Sequence, residues 1–384
     1  MLASALTANA APSQEAIALS QHNIIIDSHI DVPYRLHKTW GDVTQATQDG
    51  DFDYPRAISG GLNAPFMSIY TPASLDNSAQ STAMANELID YVEAIVGRAP
   101  NKFAIAKTVT DVRSQFDKGL ISLPLGMENG SPIQGDLSLL SHFYHRGIHY
   151  ITLAHSQSNH IADSSYDLRR KWKGLSPFGK KLVKEMNDIG IMIDISHVSD
   201  DAFYQVIELT NVPVIASHSS LRKFTPGFER NMDDKMLKAI KHNGGVVMIN
   251  FGSSFVSASS NSWVSQFNKK RDEVKEKNSN DEAQVKAFED KYRQNNPFPF
   301  ADIDVVLDHI DHVVEVAGID HVGIGSDFDG VGDSLPEGLK DVSTYPNLVQ
   351  GLLDRGYSHK HIKQILGENF LRVWSAVENY AQAH

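Results

Sequence analysis

The segment NIIIDSHIDVPYRL, Asn23 to Leu36, carries three isoleucines straight into Asp27, His29 and Asp31. A hydrophobic strand that ends by lining up three ionisable groups poses a question that the rest of the sequence answers. Seven more short apolar runs follow, bounded by Gly, Pro or Asn: APFMSIY (64–70), GLISLPLGME (119–128), HYITLAHS (149–156), GIMIDISHV (190–198), VPVIASHS (212–219), GGVVMINF (244–251) and HVGIGSDFDG (321–330). Helical patterns lie between them. Ser81–Val96 has apolar residues at helical spacing, Ser176–Ile189 opens with a capping Ser followed by Pro, and Ser199–Leu209 begins with a capping Ser. Phe300–Ala317 and Ser358–Tyr380 are longer amphipathic helices. Strand followed by helix, repeated eight times, predicts an α/β fold of the (β/α)8 TIM-barrel type, as a single domain over residues 23–384.

Composition narrows the function classes. The 384 residues suffice for one α/β barrel with a sizeable core. A formal charge of −12 argues against nucleic acid and against an anionic membrane surface. The absence of cysteine removes disulfides, thiolate nucleophiles and sulfur ligands together, and leaves the compartment open. Residues 1–22 read as a disordered tail or a signal-peptide remnant, with Ala8-Asn9-Ala10 as an A-x-A site but no basic region before it. This start leans toward export, with the cytoplasm as the alternative. No stretch reaches the length of a membrane span, and the polar C-terminus carries no lipid-anchor signal.

One excursion breaks the rhythm, an insertion over about residues 253–300 ahead of the eighth strand. Its middle, NKKRDEVKEKNSNDEAQVKAFEDKYRQNN, is charged and helix-forming. Such a run reads as a solvated helical face, with a lid or subunit contact as the functional alternative.

The polar residues fall at the strand ends. The first strand runs into His29 and Asp31, and the third ends in Glu128. His155, His197 and His218 follow the fourth, fifth and sixth, and Asp327 and Asp329 the eighth. In barrels of this type the C-terminal strand ends carry the catalytic groups. His29 and Asp31 are two apart and are expected on the same side. Imidazole and carboxylate suit zinc and similar divalent ions. Glu128 could cap a helix or, with two oxygens, bridge two metals. His155 could be a ligand, an oxyanion stabiliser or a core histidine. Asp327 suits a base near a metal-bound water, with Gly323 and Gly325 leaving room beneath it, but Asp329 shares its strand parity. Arg230, in FERNMDD, lies off any strand and reads by itself as a surface arginine.

The segments IDSHIDVPYRL, PLGMENGSPI, YITLAHSQSN, MIDISHVSDDAF, VIASHSS, HVGIGSDFDGV and PEGLKDVSTYPNL, with the RN of FERNMDD, resemble the renal or membrane dipeptidase family of zinc metallopeptidases. That family belongs among the amidohydrolase-type barrels, and its order and spacing of motifs is matched over nearly the whole chain. The resemblance implies two zinc ions per chain, with His29 and Asp31 on one, His197 and His218 on the other, and Glu128 bridging. It implies that His155 contacts the substrate and its tetrahedral intermediate, that Arg230 holds the terminal carboxylate, and that Asp327 shuttles protons. The expected activity is dipeptide hydrolysis through a metal-bridging hydroxide, and a homodimer is common among relatives. The chain lacks the cysteines and lipid-anchor signal of mammalian members and resembles a soluble bacterial-type member. The rival readings are another amidohydrolase on the same platform (deaminase, lactonase or phosphotriesterase) and a non-catalytic metal-dependent binding protein.

Overall fold

A computed structural model describes residues 11–278 and 281–384. Among the described residues there are ten strands, in chain order β1 (Ile26–Ile30), β2 (Ala64–Tyr70), β3 (Phe103–Ile105), β4 (Ile121–Leu123), β5 (Leu125–Glu128), β6 (Ile148–Thr152), β7 (Met192–Asp194), β8 (Ile215–Ala216), β9 (Val246–Ile249) and β10 (Val322–Ile324). Eight of them close a parallel barrel in the order β1-β10-β9-β8-β7-β6-β5-β2. The expected (β/α)8 architecture is therefore present. The third predicted run, 119–128, is not one strand. It divides at Pro124, which has no N–H to give a ladder. Ile121–Leu123 pairs with Phe103–Ile105 outside the barrel, and Leu125–Glu128 enters it.

The helices follow their sequence signals. Ser176 caps Pro177–Ile189 by accepting from Gly179 N, and Gly190 ends it in the left-handed conformation. Ser199 caps Asp200–Leu209 in the same way. Inside the barrel, Ile26, Phe66, Tyr150, Met192 and Met248 pack with Phe370 and Trp374 of the C-terminal helix, Asn369–Ala383. The ring of Phe66 lies 5.0 Å from Phe370 and 5.3 Å from Trp374. The N-terminal end of the barrel is thus plugged by aromatic side chains, and the C-terminal rim is the accessible face.

The tail expected over residues 1–22 needs correction in its second half. Gln14–His22 is a helix, capped by Ser13, with Ala16 buried against the core. The Ala8-Asn9-Ala10 site lies outside the described residues. The insertion is helical as expected: Ser253–Val256, Ala258–Lys277 and Glu282–Asn295. Trp263, Phe267 and Tyr292 pack between its two long helices, and most of its charged residues are exposed. No helix among the described residues is long and apolar enough to cross a membrane.

Candidate metal centre

Alternation alone does not place His29. Pairing of β1 with β2 runs Asp27↔Pro65 and then Ile30↔Met67, so three steps on β1 match two on its neighbour. This bulge re-aims the strand. Asp27 stays on the outer side, where it accepts from Ser326 N at 2.9 Å and bonds Tyr345 Oη of the helix Tyr345–Asp354. His29 turns inward. Asp27, which shares strand parity with His29 and Asp31, therefore ties β1 to the segment after β10 and takes no part in the cluster.

Seven of the eight predicted site residues converge. His29 Nε2 lies 3.5 Å from Asp31 Oδ2 and 3.5 Å from Glu128 Oε2. His155, His197 and His218 each direct Nε2 at the other oxygen, Glu128 Oε1, at 3.4, 3.2 and 3.3 Å. His197 and His218 hold their Nε2 atoms 2.8 Å apart. Among the described residues, ligand-type atoms lie within 4.8 Å of one another in three groups: His29, Glu128 and His218; Glu128, His155 and His197; and His29, Asp31 and Asp327.

Two tautomers follow from the neighbours. Tyr150 donates its hydroxyl to Ser28 O at 3.0 Å and so accepts from His29 Nδ1 at 2.9 Å. Ser217 donates to Asp194 at 2.6 Å and so accepts from His218 Nδ1 at 2.7 Å. Each histidine carries its proton on Nδ1 and turns an Nε2 lone pair toward the cluster, as a metal ligand requires. The buried His29 Nε2 and Asp31 Oδ1 have no hydrogen-bond partner among the described residues. Unpaired buried donors and acceptors are costly, and a divalent cation satisfies them. The donor set, imidazole nitrogen and carboxylate oxygen without sulfur, fits zinc.

The electrostatics point the same way. Burial disfavours a charged His197 and His218, and with Arg230 nearby it holds their pKa values well below the usual imidazole range. Burial opposes ionisation of Glu128, but His29 and His155 outweigh it and keep it a carboxylate. Burial, with Asp31 and Glu128 close by, pushes Asp327 well above the carboxylate range. Burial also disfavours a charged His29, yet Tyr150, Glu128 and Asp31 outweigh it and raise its pKa.

Asp327 and Asp329 are separated by their partners. Asp327 accepts from Asn250 Nδ2 at 2.7 Å and faces the cluster. Asp329 is taken by Arg35 Nε at 2.9 Å and Asp51 N at 2.6 Å, on the far side of the turn. A Cβ on Gly330 would meet Asp327 Oδ1 at 2.1 Å and Asp31 Oδ2 at 2.2 Å, so only glycine fits over these carboxylates. Gly323 and Gly325 leave no open room beneath Asp327. Their faces are filled by Met248 and by Ser217 and Ser28. Arg230 is buried, not the surface residue its sequence suggests. Nη1 donates to Ser219 Oγ and Nη2 to His218 O, while buried Nε has no partner among the described residues.

The cluster floors a cavity of about 770 Å³ whose walls include Tyr34, Tyr70, Tyr166 and Phe255. Ser254 and Phe255, at the root of the insertion, contribute to it. Sequence reasoning missed the layer beneath. Asp194 accepts from Ser196 N, Ser217 N, Ser217 Oγ and Thr152 Oγ1, fixing the turns that carry His197 and His218. Tyr150 fits only because a Cβ on Gly126 would lie 2.0 Å from its ring. The available signal was Gly126 two residues before Glu128, facing the same way in the strand.

The family model described as Membrane dipeptidase (Peptidase family M19) matches residues 13–384. An uncharacterized dipeptidase of Schizosaccharomyces pombe is 31% identical, over 96% of this chain and 84% of that protein. The crystal structure of the probable dipeptidase PvdM from Pseudomonas aeruginosa superposes with a TM-score of 0.84 at 28% identity, over 96% of this chain and 98% of that one. A metallopeptidase of the same family, dipeptidase AC, superposes at 0.77 with 25% identity, over 92% and 98%.

Proposed function

Because the chain belongs to the membrane dipeptidase family and is a hydrolase of the dipeptidase class, we propose that it cleaves dipeptides at a binuclear zinc centre. The observation that carries this reading is the division of Glu128, with Oε2 facing His29 and Oε1 facing His197 and His218, beside His155. One oxygen for each half of the cluster is the geometry of a bridging carboxylate. His29, Asp31 and Glu128 would hold one ion, and Glu128, His197 and His218 the other. When bound, such ions would supply Lewis acidity and make water acidic enough to act as a nucleophile near neutral pH.

The remaining steps fall to the protein. Burial holds the pKa of His155 below the usual imidazole range, so it is neutral and can donate to the oxyanion that develops on the scissile carbonyl. Asp327 sits on the cluster side of its turn, held by Asn250, suited to take up a proton and pass it to the leaving amine. Arg230 is a buried cation with no carboxylate partner and with Nε unpaired among the described residues, suited to the terminal carboxylate of a dipeptide. A plugged barrel with a fixed cation admits a small, doubly charged substrate better than a long peptide.

The test uses purified protein with Ala-Ala, Ala-Ala-amide and an aryl phosphotriester, with and without chelator. Chelator-sensitive turnover of Ala-Ala, with the amide poor and the phosphotriester inert, is the expected pattern. Zinc analysis of Glu128→Gln should find both ions lowered together. Loss of one ion alone would refute the bridge, and phosphotriester turnover exceeding that of Ala-Ala would refute the substrate class.

A further inference from the structure

We propose that Lys38 is a second carboxylate-recognising group, and that the preferred substrates are dipeptides carrying an acidic side chain. This rests on the dipeptidase reading above. Lys38 ends the helix Val32–Lys38, directly after β1, and lines the same cavity as Glu128 and His155. The other cations near this cavity are committed. Arg35 is bound to Asp329 and to Phe52 O, and Arg230, oriented by Ser219 and His218, is the one assigned to the terminal carboxylate. Lys38 has no salt-bridge partner among the described residues, and its ammonium instead sits over the ring of Tyr34, 4.3 Å from the centroid.

That ring is the first in a series leading inward. Tyr34 packs edge-on against Tyr70 at 4.8 Å, and Tyr70 lies 4.8 Å from the ring of His155. Three short contacts therefore join the Lys38 ammonium to the cluster. An extended dipeptide spans about 7 Å, and a glutamate side chain adds to that reach. The barrel order places β10 and β9 between β1, which precedes Lys38, and β8, which precedes Arg230. Lys38 lines the cavity, and Arg230 is buried beside His218 on the β8 side of the cluster. A dipeptide with only its terminal carboxylate can satisfy one of them. A second carboxylate on a side chain satisfies both, and Tyr34 pre-positions the ammonium by a cation–π contact.

Lys38 is exposed, so the expected discrimination has the scale of a solvent-accessible ion pair, roughly 1.5–5-fold in kcat/KM. The measurement is the ratio of kcat/KM for Glu-Ala over Gln-Ala, and for Ala-Glu over Ala-Gln, with zinc-loaded protein. Each ratio compares near-isosteres on one enzyme preparation, so partial loss of folding or metal cancels. For the unaltered protein at least one ratio should exceed one, and it should fall toward one in 0.5 M salt. Lys38→Met, which keeps the contact with Tyr34, should bring it to about one, and Lys38→Glu should invert it. Ratios near one in the unaltered protein, or a ratio that survives Lys38→Met, overturn the inference while leaving dipeptide hydrolysis standing. Failure of the zinc-loaded protein to cleave any of the four dipeptides overturns the dipeptidase reading, and this inference with it.

Discussion

Tyr150→Phe separates the two halves of the proposed metal centre. The hydroxyl of Tyr150 accepts from His29 Nδ1 at 2.9 Å and donates to Ser28 O at 3.0 Å. Phenylalanine keeps the ring in the slot against Gly126 and removes only this bridge. The His29 Nδ1–H and the Ser28 carbonyl are then both buried without a partner, at about 1–3 kcal/mol each. His29 also loses the contact that fixes its tautomer and points its Nε2 lone pair. Such supporting contacts are worth about 10–100-fold in metal affinity. At about 1.4 kcal/mol per tenfold, that is roughly 1.4–2.8 kcal/mol on the ion held by His29 and Asp31. The other half has its own support, Asp194 through Ser217 to His218, which the substitution leaves intact. Titration against a zinc-buffer series should therefore find one site weakened by this factor and the second near its original affinity. Thermal unfolding of the metal-free protein should report the cost of the two orphaned groups. Equal weakening of both sites, or of neither, would refute the assignment of Tyr150 to one ligand.

Asp327→Asn should keep both zinc ions and lower kcat by roughly 10²–10⁴-fold, the contribution of a positioned proton carrier, whereas Asp329→Asn should act mainly on stability because Arg35 and Asp51 hold that carboxylate away from the cluster. Loss of zinc from Asp327→Asn would make it a ligand instead. Arg230→Lys should raise KM for free dipeptides far more than for dipeptide amides, since lysine offers a point charge where arginine offers a planar fork, and equal effects on both would count against carboxylate recognition. Burial and the neighbouring Asp329 push Asp51 up to about 6 from 3.8, so the folded state binds its proton more tightly than the unfolded chain. This group's contribution is therefore most favourable below about pH 4 and declines as pH rises toward 6. Asp51→Asn should flatten urea-unfolding stability across that window and gain roughly 1–3 kcal/mol at pH 7, discounted for partial exposure, and an unchanged pH slope would remove Asp51 as its source.

The linear sequence determined the barrel and the composition of its rim. Apolar runs separated by capped helices fix the order of strand and helix whatever the details of packing, because burial of each strand and satisfaction of each helix end are local requirements. The ionisable residues at or just past the ends of β1, β5, β6, β7, β8 and β10 are legible for the same reason. Their directions are not. His197, Asp327 and Asp329 have φ of 69°, 65° and 64°, in the left-handed region where the alternation rule of a strand no longer applies. Only the folded turns could therefore decide that Asp327 faces the cluster and Asp329 faces Arg35. The bulge that turns His29 inward and leaves Asp27 outside depends on pairing with β2, more than thirty residues away in sequence. The hydrogen bonds from Tyr150 and Asp194 that set the histidine tautomers, and the burial of Arg230 behind His218, likewise join distant segments. Pattern within the chain chooses which residues reach the rim, whereas contacts between distant strands choose where each donor and lone pair points.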